Sequence, residues 1–100
     1  MTATSATITI TGQGARPIRP LIEAAIQREI ELLGIGVRRG EQRVAAFEQQ
    51  HGMTSAEFLR RFQNEELAET LDTIDWIGEL QMLERLREKA TTLRGLHIAD

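Results

Sequence analysis

Glu48 and His51 stand three residues apart, the one Glu-x-x-His sequence in this chain. On a helix, Glu-x-x-His puts both side chains on one face, the arrangement from which bundle proteins build dinuclear carboxylate sites. Such a site needs a second pair and two further inward glutamates. The only other histidine, His97, lies beside the C-terminus. His51 is therefore read as an ordinary residue at a helix end, where positive charge is favourable. Metal ligation is not expected.

Asp72, Asp75 and Glu79 form an acidic row at i, i+3 and i+7. Carboxylates so placed can hold Mg²⁺ in helical nucleotide hydrolases. Two of them have a simpler duty. Leu71-Asp72-Thr73-Ile74-Asp75-Trp76 repeats the pattern of Met53-Thr54-Ser55-Ala56-Glu57-Phe58, and each phrase has the form of a capping box with a hydrophobic staple. Thr54 and Asp72 are the predicted caps, Glu57 and Asp75 the reciprocating acids. Met53 should clasp Phe58, and Leu71 should clasp Trp76. Trp76 then has two readings, a staple partner in the core or an anchor at a binding surface. The second acidic pair of a hydrolase is absent, since Glu84 and Glu88 sit on the opposite face. No Ser, Thr or Lys stands at a catalytic spacing from a histidine and an acid, and no glycine-rich phosphate loop occurs. The expectation is a non-catalytic protein without a cofactor.

The elements that would position these residues are read from periodicity. Residues 7–11, Thr-Ile-Thr-Ile-Thr, alternate with period two in β-branched residues and predict a short extended segment. Residues 1–16 are assigned to a flexible or strand-forming N-terminal segment, and residues 17–100 to one helical domain. From residue 20 to residue 50 the apolar positions Ile22, Ile26, Ile30, Leu33, Val37, Val44 and Phe47 keep helical phase through Gly34, Gly36 and Gly40. Each glycine costs about 1 kcal/mol relative to Ala, so a break near residues 34–40 is the rival to one continuous helix. Glu29 and Arg43 fall inside the wide apolar arc. Each must either pair across an interface or extend its stem to the rim. A short helix is predicted over residues 55–64 and a third over residues 73–93, with Gly52 and Gly95 as stops. The fold class is all-α: a long helical hairpin, residues 20–50 and 73–93, with a short middle helix.

Charge is uneven. The net charge is −3 from 12 Lys and Arg against 15 Asp and Glu, and Asn64 to Leu83 holds six carboxylates with no basic residue. That stretch repels nucleic acid and attracts basic surfaces. There are no cysteines, which removes disulfides and thiolate metal sites. No apolar run reaches the roughly 20 residues of a membrane span, and Met1 to Thr7 lacks the form of a secretory signal. A cytoplasmic location without membrane association is the default.

The stretch from Phe47 to Phe62, followed by Glu66-Leu67 and Asp75-Trp76-Ile77-Gly78, resembles a group of small bacterial and archaeal helical proteins regarded as antitoxins of toxin-antitoxin gene pairs. The likeness spans residues 20–93. It implies a protein that neutralises a small, basic, toxin-like partner. The acidic segment supplies candidate contacts: Glu65, Glu66, Glu69, Trp76 and Glu79. A homodimer is expected, because one partner helix would not cover the apolar arc of residues 20–50. An alternative of another class follows from the N-terminal strand and two helices, which resemble the ribbon-helix-helix repressors. Thr7, Thr9 and Thr11 would then read bases, and Arg16 and Arg19 would contact phosphates. The strand carries no basic residue, and residues 33–40 lack a Ser/Thr cap for a second helix, so this reading ranks below the first. A structural coiled-coil adaptor is the third.

Overall fold

The computed structural model describes residues 5–12 and 18–99. Five elements follow in order: β1 (Ala6–Thr9), α1 (Arg19–His51), α2 (Ser55–Gln63), α3 (Leu71–Arg94) and β2 (Leu96–Ala99). The predicted hairpin is present, with α1 packed along α3 and α2 at the closed end.

α1 runs unbroken through all three central glycines. Two of them explain why. A Cβ on Gly36 would stand 3.3 Å from Leu86 Cδ1, and one on Gly40 would stand 3.2 Å from Leu83 Cδ1. One turn apart on one face, they let the backbone of α1 approach the leucines of α3, so contact offsets their low helix propensity. The seam continues through Leu33, Val44 and Phe47 of α1 against Trp76, Leu83 and Ala90 of α3, a heptad-like packing of antiparallel helices. α1 ends at Gly52, whose left-handed backbone (φ 65°) donates to the carbonyl of Glu48.

The molecule is a rod of 63 × 24 × 17 Å with a radius of gyration of 19.1 Å. A compact chain of this length would have about 13 Å. Few of the described residues are consequently buried: Leu33, Gly40, Val44, Phe58, Trp76, Leu83 and Ala90, with Thr73 the buried polar residue.

Two expectations shift. The strand forms at Ala6–Thr9 rather than residues 7–11, and it has a partner that periodicity did not predict. β2, directly after α3, pairs parallel with β1 in the register Ala6 with Leu96 and Ile8 with Ile98. The Arg19 guanidinium donates to the Ile98 carbonyl, tying the start of α1 to this pair.

The second staple is misplaced by two residues. α3 begins at Leu71, capped by Thr70, whose hydroxyl accepts from the Thr73 amide at 3.2 Å while Thr73 Oγ1 accepts from the Thr70 amide at 2.7 Å. The box is Thr with Thr. Asp72 lies inside the first turn, and Leu71 is 80% exposed and clasps nothing. At α2 the cap is as expected, Thr54 accepting from the Glu57 amide at 3.1 Å. Glu57 does not reciprocate; it turns outward to Arg60 and Arg61.

Candidate partner-binding surface

The closed end of the rod is built around Trp76. Its ring lies parallel to Phe58, with centroids 3.9 Å apart, and stacks nearly parallel with Phe47 at 5.7 Å and His51 at 5.3 Å. Its indole N–H donates to Ser55 Oγ at 3.1 Å. Trp76 is 1% exposed. Of its two sequence readings the core one holds, though without the Leu71 staple, and the surface anchor is corrected: packing against Phe47, His51 and Phe58 makes the indole the joint of the three helices.

The Glu48 and His51 pair is divided between two tasks. A Glu48 Oε accepts from the Ser55 amide at 2.7 Å, adding a second acceptor to the N-terminus of α2. His51 ends α1 against Trp76, with its Nε2 3.4 Å from Asp72 Oδ2. Asp72 also accepts from the Gln50 amide side chain at 3.1 Å. The acid expected to cap α3 instead ties its first turn to the end of α1. Among the described residues no three His, Asp or Glu side chains gather as a metal site.

Glu79 is half-buried and pairs with Arg43 of α1 at 2.8 Å; its other oxygen is enclosed without a hydrogen bond. This corrects its place among the free acids of the binding surface. Arg43 thus pairs across α1 and α3, whereas Glu29 is exposed at the rim.

Glu65, Glu66 and Glu69 all lie in the connection between α2 and α3 and are exposed. The chain turns there at Asn64, after which Glu65 adopts a left-handed conformation (φ 58°) and its amide bonds to Phe62. Glu66 lies 3.6 Å from Arg60. Glu65 and Glu69 have no ion pair among the described residues. Arg60 is itself engaged by Glu57, whose carboxyl is lowered to about 2 by hydrogen bonds from Arg60 and then Arg61. The loop therefore presents net negative charge.

One flank of the hairpin is apolar. Ala46 and Phe47 of α1 and Ile74, Gly78 and Met82 of α3 line an open groove beside the Arg43 and Glu79 pair. Sequence reasoning missed this groove, because Ile74 was assigned to a cap and Gly78 to nothing.

The residues of the ribbon-helix-helix alternative are dispersed. Thr7 and Thr9 lie exposed on β1, Thr11 follows it, and Arg16 lies outside the described residues. Arg19 is turned to Ile98 and stands 3.8 Å from Glu23. The two short helices such a reader needs are here one continuous α1. No helix among the described residues is long and apolar enough to cross a membrane.

Compared with known proteins, the chain matches no family model, no curated protein and no solved structure.

Proposed function

We propose that the chain is a cytoplasmic, non-catalytic, antitoxin-like module that neutralises a small basic protein through the acidic connection between α2 and α3. The observation that carries this reading is the grouping of Glu65, Glu66 and Glu69 on one exposed loop, where among the described residues the one ion pair is that of Glu66 with Arg60, itself already held by Glu57. A carboxylate cluster at the tip of a rigid hairpin offers a basic surface a high local field and little to reorganise. The helices supply the scaffold, and the Trp76 stack fixes the loop's origin on α2 and α3.

The test uses the protein encoded beside this one as the probe. Glu65, Glu66 and Glu69 changed together to Lys should weaken binding by about a hundredfold or more and reverse its salt dependence, given the several kcal/mol that like-charge juxtaposition costs. Equal affinity of the wild type and the triple variant would overturn the proposal, as would a neighbour that does not bind at all.

A further inference from the structure

We propose that the notch between Gly34 of α1 and Ala90 and Thr91 of α3 binds a diphosphate-type anion, free or as part of a nucleotide. The notch shares no lining residue with the apolar groove and does not depend on the acidic connection. It is a cavity of about 360 Å³ at the middle of the hairpin. Gly34, Val37 and Ala90 make its less exposed floor, and Arg38, Arg87, Thr91 and Arg94 its exposed rim. No carboxylate lines it among the described residues. In a chain of net charge −3, three guanidiniums around one depression reverse the local field.

Gly34 points to a ligand because the fold has no use for it. Gly36 and Gly40 admit the leucines of α3, whereas a Cβ on Gly34 would meet only Arg38 Nη1, at 3.5 Å. A helix interior thus keeps a residue that costs about 1 kcal/mol relative to Ala, with no packing in return. Its bareness leaves the space beside the Arg38 guanidinium open.

The polar groups of the rim are prepared for an anion. Arg87 is held by Glu41 at 2.9 Å, which fixes one fork in place. Arg38 and Arg94 have no ion pair among the described residues. Glu88, the nearest acid on α3, lines a different depression with Glu29 and Lys89. Thr92 spends its hydroxyl on the Glu88 carbonyl at 2.9 Å, the usual back-bond of a helical threonine. The Thr91 hydroxyl has no such partner among the described residues and can donate to an oxyanion.

The spacing selects the class of anion. Guanidinium forks match phosphoryl oxygens two at a time. Arg87 and Arg94 are seven residues apart on α3, about 10.5 Å along the axis, a span that two linked phosphoryl groups fill better than one. Thr91 stands between them, and Arg38 meets the ligand from α1.

Isothermal titration calorimetry of the full chain at low ionic strength, with inorganic pyrophosphate as the probe, should give one site with a dissociation constant below about 1 mM, at least about tenfold tighter than orthophosphate. Arg38→Gln and Arg94→Gln should each weaken binding about tenfold. Arg39→Gln removes the same charge from a residue outside the notch and should change it less than about twofold. Gly34→Leu should weaken it about tenfold while the thermal midpoint holds or rises, because leucine is the better helix former. That variant separates loss of the notch from loss of the fold. ADP binding tighter than pyrophosphate makes the ligand a nucleotide, and weaker binding makes it free diphosphate; each supports the site. Absence of saturable binding overturns the proposal, as do orthophosphate binding as tightly as pyrophosphate, an equal loss on Arg39→Gln, and a Gly34→Leu protein that binds like the wild type. A nucleic acid that displaces both ligands and responds equally to Arg38→Gln and Arg39→Gln overturns it too, making this flank a diffuse polyanion surface.

Discussion

Arg43 of α1 and Glu79 of α3 meet at 2.8 Å across the hairpin, and the second oxygen of Glu79 is enclosed without a partner. The pair sits one turn from the Trp76 stack, where the groove floor excludes part of the surrounding water. Arg43→Met should therefore cost about 1–2 kcal/mol, more than an ordinary surface pair, because it leaves a half-buried carboxylate alone. Adding Glu79→Gln should recover part of that loss. Urea denaturation of the two singles and the double gives the coupling; strict additivity would show that the pair is solvated.

Trp76 is the largest buried side chain of the closed end. Trp76→Ala should destabilise by about 3–5 kcal/mol, since it removes the stack with Phe58 and leaves a cavity. Trp76→Phe keeps an aromatic layer and loses the bond to Ser55, so about 1–2 kcal/mol is expected. Circular dichroism melts, which do not depend on the indole as reporter, distinguish the two.

The central glycines of α1 should respond in opposite directions. Gly34 meets only the flexible end of Arg38 at 3.5 Å, so Gly34→Ala should raise stability by about 0.5–1 kcal/mol. Gly40 touches Leu83, and Gly40→Leu should overpack the seam at a cost of about 1–3 kcal/mol. Thermal midpoints moving the same way for both would contradict the close approach of α1 and α3.

Glu57 sets an acid limit on α2. Its carboxyl is lowered from its ordinary 4.5 to about 2 by hydrogen bonds from Arg60 and Arg61. A depressed carboxyl binds fewer protons in the folded than in the unfolded state, so its contribution is complete above the unfolded value. It is lost as pH falls from about 4.5 towards 2. Denaturation midpoints measured across that window should decline more steeply for the wild type than for Glu57→Gln.

The hairpin was legible in the sequence because burial on one helical face writes a period into it, from Ile22 to Phe47 and again from Trp76 to Leu93. The continuity of α1 was not, since propensity alone counts Gly36 and Gly40 as faults, and only the facing leucines turn them into contacts. The start of α3 was missed for a related reason. Asp72 and Thr70 are both good caps, and the choice between them rests on Thr73, whose hydroxyl bonds back to Thr70 in the fold. β2 escaped notice because its four residues carry almost no period, and its partner lies at the far end of the chain. In the candidate surface Glu65, Glu66 and Glu69 are exposed, as contact residues must be, while Trp76 and Glu79 are not. The sequence left Trp76 between core and surface and placed Glu79 on the surface, because burial at a three-helix joint depends on where the loop returns the chain.

The pairing of β1 with β2 joins segments about 90 positions apart in register. Closing so long a loop costs entropy that an exposed β1 and a part-buried β2, four residues each, repay poorly. The hairpin, whose α1 and α3 contacts need no help from this pair, can therefore be complete before the strands meet. The amides of β1 and β2 should therefore exchange as a separate, less protected unit than those of the helices, which hydrogen exchange would read. The open end of the rod thus works as a latch between the two ends of the chain, and the closed end carries the permanent structure.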